Sequence, residues 1–178
     1  HEACGHGFAK LADEYSYEEQ GTVPTDYVSQ IQTEQSDWGW WKNVDFTNDQ
    51  NSIRWSKFIN DTRYANEGLG AYEGGLTYWT GVWRPTENSI MRYNTGGFNA
   101  PSREAIYYRI HKLAYGEEWQ YDYEKFVEYD AINRNATATR AVTNFKQMPP
   151  LHEPVIIHDS WKNAKNNVPS RNAVPSNN

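Results

Sequence analysis

Two histidines and a glutamate stand close together in the segment HEACGHGFAKLADEY, residues 1–15. His1 and His6 are five positions apart, and Glu2 directly follows the first of them. Imidazole nitrogens are good zinc ligands, and a carboxylate beside such a ligand can take a proton from water that the metal acidifies. These residue types make His1 and His6 candidate zinc ligands and Glu2 a candidate general base of a hydrolytic reaction.

The spacing of the two histidines requires an irregular helix. On a regular α-helix, residues four apart lie about 40° from each other around the axis, whereas residues five apart lie about 140° apart. His1 and His6 could share a metal if the helix contains an i→i+5 turn, or if His1 precedes the first regular turn. Gly5, directly before His6, makes such a distortion less costly. The alternative is a pair of unrelated surface histidines.

A third ligand is expected where the chain turns off this helix. Asp13 and Glu14 follow His6 at the seventh and eighth positions, and either carboxylate could return to the metal. The spacing alone leaves the choice between Asp13 and Glu14 open.

The pentapeptide Ser89-Ile-Met-Arg-Tyr93 has the S-x-M-x-Y pattern of the Met-turn in astacin-like and serralysin-like metzincins. The pattern predicts a tight turn with Met91 packed beneath the metal site rather than bound to it. Tyr93 would then donate a hydrogen bond to the oxyanion or act as a loose extra ligand. The alternative for Tyr93 is an ordinary buried tyrosine.

Three segments in this order carry a resemblance to a known family: HEACGHGFAKLADEY, GLGAYEGGLTYWTGVWRPTENSIMRYN and FNAPSREAIYYRIHKLAYG. The chain resembles, over residues 1–116, the IgA peptidase family of zinc metallopeptidases, in its Bacteroides-type branch. The resemblance implies an α+β, metzincin-like zincin domain with a single zinc and a protein or peptide substrate. It also implies Asp13 as the third ligand and an extracytoplasmic location, either secreted, at the cell surface or periplasmic.

The elements around these motifs can be predicted in outline. We expect a helix over residues 1–12, an irregular polar segment over 13–36, and irregular or bulged strands over the glycine-rich residues 68–84. A helix over 102–115 should end at Gly116. Its apolar stripe would consist of Ile106, Ile110 and Leu113. A second helix is expected at about 117–132.

Residues 1–133 therefore form the predicted catalytic region, with the active-site helix, the Met-turn and the helices that follow. Residues 134–178 form a C-terminal extension with a short strand at Val155–Ile157 and a tail rich in Asn, Pro and Ser. A metzincin-like domain places a twisted sheet before its catalytic helix. Because this N-terminal sheet subdomain is not in the sequence, we expect an upstream part of the same polypeptide to supply it.

Composition argues against two classes of partner. The formal charge of −6 leaves no basic stripe for nucleic acid. No segment approaches the roughly 20 apolar residues of a membrane span. The oxygen-rich segment NVDFTNDQN, residues 43–51, makes calcium a possible second ion. It lacks the glycine and spaced carboxylates of a calcium loop, so a solvated turn fits it better.

The eight tryptophans and thirteen tyrosines leave other functions open. A rigid aromatic core is the commoner explanation for such a composition. The chain could instead be a non-catalytic, aromatic-rich module that binds glycans or proteins, or a pseudoenzyme derived from a peptidase.

Overall fold

The computed structural model describes residues 1–94 and 96–134, which form a mixed α+β fold of helices and one small sheet. In chain order the elements are a π-helix (Glu2–Phe8), β1 (Ser16–Thr22), α1 (Thr25–Asp37), α2 (Ser56–Ile59), a 3₁₀ helix (Thr62–Glu67), β2 (Tyr72–Gly75), β3 (Thr77–Arg84), α3 (Ile90–Tyr93), α4 (Ala100–Tyr115) and α5 (Tyr123–Tyr129). Within those ranges, no helix has the length and apolar character that crossing a membrane would require. The predicted extension lies outside the described residues apart from Arg134, as does the predicted strand Val155–Ile157.

The sheet has the strand order β1-β3-β2. β1 runs parallel to β3, and β2 pairs antiparallel with it. The register shifts between Glu73 and Gly75, so the prediction of bulged strands over residues 68–84 is confirmed. Gly81 has a φ of 84°, and a Cβ there would lie 2.9 Å from Val23 Cγ1. Glycine at this position therefore lets β3 approach the chain that leaves β1.

The prediction of an irregular segment over residues 13–36 was wrong, because β1 and α1 occupy most of it. β1 is an edge strand with mostly exposed side chains, so it lacks the alternation of apolar residues by which a half-buried strand is recognised. α1 buries only Ile31 and Gln35 among its thirteen residues. Both elements therefore lack the periodic apolar pattern on which prediction depends.

The ends of α4 follow from local sequence. The side chain of Asn99 caps the helix by accepting a hydrogen bond from the Ser102 N–H at 3.2 Å, and Pro101 stands in the first turn. Gly116 ends the helix with a φ of 73°, as predicted.

The predicted apolar stripe of α4 was right for Ile106, which packs against buried apolar residues, and wrong for Ile110 and Leu113, which are 42% and 66% exposed. The helix buries Ala105 and Tyr107 instead. The next helix, α5, starts later than predicted, at Tyr123, and its cap is Asp122, which accepts from the Lys125 N–H at 3.2 Å.

Buried side chains gather in separate clusters. The largest is aromatic and consists mainly of Trp55, Phe58, Tyr64, Tyr107 and Phe126. A smaller cluster joins Ala9, Leu11, Met91 and Ala105, with Phe8 packed against it. This smaller cluster ties the end of the π-helix to α3 and α4, and it supports the candidate site.

Candidate metal centre

The first helix of the chain is a π-helix, whose wide turn places His1 and His6 on the same side although they are five residues apart. The N–H of His6 donates to the carbonyl of His1 at 3.2 Å, and the N–H of Ala9 donates to the carbonyl of Cys4 at 2.9 Å. Both are i→i+5 hydrogen bonds, so the predicted wide turn is confirmed. The two imidazole rings face each other with their centroids 4.8 Å apart.

The side chains of His1, His6 and Asp13 converge on one point. The two Nε2 atoms are 3.0 Å apart, and each lies 2.9 Å from Asp13 Oδ1. Lys10, with a φ of 55°, lies where the chain leaves the helix and turns back toward the histidines. A zinc ion with bonds of 2.0–2.1 Å in tetrahedral geometry sets its ligand atoms about 3.3 Å apart. The spacing of these three atoms is close to that value.

Each imidazole is oriented by an oxygen on its far side. His6 Nδ1 donates to the Leu11 carbonyl at 2.7 Å, and His1 Nδ1 donates to the side-chain oxygen of Asn94. Both oxygens are hydrogen-bond acceptors, so these contacts require the hydrogen on Nδ1 of each ring, and in that tautomer each Nε2 turns its lone pair toward Asp13. Three electron-pair donors at this separation repel one another unless a cation or a shared proton lies between them.

Tyr15 belongs to the same site, although sequence reasoning missed it. Its ring centroid is 6.5 Å from that of His1. Desolvation, followed by the neighbouring Asp13 carboxylate, raises the pKa of Tyr15 to about 12, so its hydroxyl stays protonated beside Asp13. The signal was the i, i+2 spacing from Asp13, which in extended backbone places both side chains on one side.

Glu14 lies apart from the histidines, so the structure brings Asp13 and not Glu14 to them. The Glu14 carboxylate is fully buried and accepts from Ser89 Oγ at 2.6 Å, Asn43 Nδ2 at 2.9 Å and Asn99 Nδ2 at 2.9 Å. Burial outweighs these three hydrogen bonds, so the pKa of Glu14 lies above its usual value. Glu14 thereby links the segment after the π-helix to three distant parts of the chain.

Met91 lies in a short turn under the π-helix. Ser89 Oγ accepts from the Met91 N–H at 3.2 Å, and the Met91 carbonyl accepts from the Glu14 N–H at 3.0 Å. The methionine is fully buried. A Cβ on Gly5 would lie 2.9 Å from Met91 Cε and closer still to Sδ. Gly5 thus makes room for Met91, a reason different from the backbone freedom that the sequence suggested.

The two residues predicted to act in catalysis are exposed. Glu2 forms no side-chain hydrogen bond within the described part of the chain, which leaves its carboxylate available. Tyr93 is 53% exposed, so the alternative of a buried tyrosine was wrong. The ring of Tyr93 lies 4.5 Å from the Arg92 guanidinium, and the next residue, Asn94, contacts His1. Cys4 is also exposed.

The acidic side chains of residues 43–51 form local hydrogen bonds. Asp45 accepts from the Phe46 N–H at 2.7 Å, and Asp49 accepts from the Asn51 N–H at 3.0 Å. Across residues 1–94 and 96–134, the group of three or more His, Cys, Asp or Glu side chains close enough to hold a metal ion is His1, His6 and Asp13. The described residues thus add no second group of this kind at the segment considered for calcium.

Comparison of this chain with protein-family models and with curated proteins gives no match. The interpretation of the site therefore depends on its residues and their geometry.

Proposed function

We propose that this chain is a zinc-dependent endopeptidase with a metzincin-like arrangement of catalytic helix, Met-turn and following helix. The observation that carries the proposal is the convergence of His1 Nε2, His6 Nε2 and Asp13 Oδ1 within 3.0 Å of one another. The resemblance in sequence supports the further proposal that it acts on proteins or peptides outside the cytoplasm.

The donor set suits zinc in a catalytic rather than a structural site. Catalytic zinc sites hold the metal with three protein ligands and keep a fourth position open, and a set of imidazoles with one carboxylate is typical of them. Calcium and magnesium prefer oxygen ligands throughout, so two imidazoles disfavour both ions. The hydrogen bonds from His1 to Asn94 and from His6 to Leu11 are the outer contacts that fix such ligands in place.

Zinc, when bound, supplies Lewis acidity that polarises the scissile carbonyl and makes a water molecule acidic near neutral pH. Glu2 accepts the proton from that water as the carbonyl is attacked, and it later delivers the proton to the leaving amine. Tyr93 donates its hydroxyl hydrogen to the oxyanion that develops on the former carbonyl oxygen. Tyr15, whose hydroxyl stays protonated beside Asp13, would help to hold that carboxylate in place.

Two variants and a chelator test this proposal. The purified protein should hydrolyse internally quenched peptides, lose this activity with EDTA and regain it with one equivalent of zinc. His6→Ala should lose both zinc and activity. His111→Ala is the matched control, because His111 Nδ1 donates to the Tyr107 carbonyl at 2.8 Å and lies outside the cluster. That variant should keep zinc and activity.

The same assay separates the proposal from its rivals. A peptidase-derived pseudoenzyme would bind one zinc through His6 and hydrolyse no peptide. A non-catalytic binding module would bind no zinc at all, and its exposed tryptophans, Trp38 at 59% and Trp79 at 49%, would carry its function.

A further inference from the structure

A cleft of about 530 Å³ lies beside the end of the π-helix, bounded by the end of α1 and the C-terminal half of α4. Its lining is rich in cations and aromatic rings. These residues are Lys10, Lys42, Arg109 and Lys112, with Trp40 and Tyr108. A concentration of positive charge in one cleft is unexpected in a chain of net charge −6.

Three of these cations have no acidic partner within the described residues. Lys10, Lys42 and Arg109 form no side-chain hydrogen bond or ion pair there, and Arg109 Nε is buried without an acceptor. Lys112 contacts Glu117 at 3.1 Å, but the glutamate side chain is 95% exposed, and such surface pairs are weak. Lys10, Lys42 and Arg109 are therefore cationic donors in the cleft that form no ion pair with the described residues.

Lys42 is held in position rather than free in solvent. Its ammonium lies 4.0 Å from the centroid of the Tyr108 ring, and burial lowers the pKa of Lys42. The charge of Glu104 acts on Lys42 in the opposite sense, but Glu104 already pairs with Lys57 and accepts from Tyr121, so an anionic ligand would offset the remaining cost of burying this cation.

We propose that this cleft binds an acidic peptide segment, through carboxylates that pair with Lys42 and Arg109. A neutral glycan fits less well, because the Trp40 ring already has two neighbours. Its centroid lies 4.6 Å from the centroid of the Trp38 ring and 5.6 Å from the Lys10 ammonium. Trp40 is partly buried, which leaves less of its ring for a sugar. A densely sulfated glycan fits less well too, because the carboxylates of Asp37 and Glu117 also line the cleft and would repel it. A peptide offers amide N–H groups to those carboxylates beside its own acidic side chains. Binding of this kind does not depend on hydrolysis.

Binding can be measured with the full chain in the His6→Ala background, so that no peptide is cleaved. The probe is a fluorescein-labelled hexapeptide of four glutamates and two leucines, and its control is the same peptide with glutamines. Fluorescence anisotropy should show tighter binding of the acidic peptide, weakening as NaCl rises from about 50 to about 300 mM.

The double variant Lys42→Gln/Arg109→Gln should raise the Kd about tenfold, as expected for the loss of two partly exposed ion pairs. Lys10→Gln/Lys112→Gln should raise it about three- to tenfold and serves if the first variant fails to fold. Lys125→Gln, an exposed cation on α5, is the matched control and should leave the Kd unchanged.

The inference is overturned if the glutamine peptide binds equally well, or if the folded cleft variants bind like the parent protein. Tighter binding of a heparin-derived oligosaccharide than of the acidic peptide, lost in the same variants, would also overturn it in favour of a sulfated ligand. Because these measurements use the metal-site variant, they succeed or fail independently of the proposed peptidase activity.

Discussion

The contact between Gly5 and Met91 makes Gly5→Ala a sensitive probe of the site. The new Cβ would lie 2.9 Å from Met91 Cε and closer to Sδ. Since carbon atoms pack at about 3.5–4.0 Å, Met91 would have to retreat by about 0.6–1.1 Å. The methionine is fully buried, so it has nowhere to move without displacing its neighbours.

The expected magnitude follows from two opposing effects. Overpacking a buried site costs about 1–3 kcal/mol, while replacing glycine by alanine inside a helix gains about 0.5–1 kcal/mol. Gly5→Ala should therefore lower the free energy of unfolding by up to about 2.5 kcal/mol. Gly7→Ala is the matched control in the same π-helix, because the nearest atom to its new Cβ is the Glu2 carbonyl oxygen at 3.4 Å. It should be neutral or stabilising.

Urea unfolding followed by tryptophan fluorescence, in EDTA, measures both variants without a contribution from metal. Repeating Gly5→Ala in a Met91→Ala background should abolish most of its cost, giving a coupling energy of about 1–3 kcal/mol. Equal stability of Gly5→Ala and Gly7→Ala, or no coupling to Met91, would refute the proposed packing of the turn beneath the π-helix.

Four further substitutions separate the roles of neighbouring residues. Glu2→Gln should keep zinc content and stability but lower the peptidase rate at least about 100-fold, as expected for loss of a general base; a near-normal rate would remove Glu2 from that role. Tyr93→Phe should lower the rate by about 10- to 1000-fold if the hydroxyl donates to the oxyanion, and an unchanged rate would exclude this. Glu14→Ala should cost about 3 kcal/mol or more in urea unfolding, because three buried hydrogen bonds, from Ser89, Asn43 and Asn99, are lost. Asp13→Ala should lose zinc, yet in EDTA it should lower the free energy of unfolding by about 1 kcal/mol or less. If Glu14→Ala loses zinc instead and Asp13→Ala is the more destabilising variant, the roles of Asp13 and Glu14 are exchanged.

The sequence predicted the parts of the site that depend on local geometry. The five-residue spacing of His1 and His6 is incompatible with a shared metal on a regular helix, and this alone led to the prediction of a wide turn. Gly116 was recognisable as the end of α4 because a glycine with positive φ commonly ends a helix.

Parts that depend on distant partners were not predictable in this way. Glu14 and Asp13 are adjacent carboxylates in the sequence, and only the acceptor role of Glu14 toward Ser89 and Asn99, 75 and 85 positions away, distinguishes them. The edge strand β1 was missed because its mostly exposed residues carry no apolar alternation. Ile110 and Leu113 have helical spacing but face outward, because the aromatic cluster packs against Tyr107 on another side of α4.

The most direct test of the central claim is anomalous diffraction at the zinc edge from crystals of the zinc-loaded protein. We expect one peak, about 2.0–2.1 Å from Nε2 of His1 and of His6 and about 2.0–2.2 Å from a carboxylate oxygen of Asp13. No peak at that position, or a peak bound through His111 in its place, would contradict the assignment of this site.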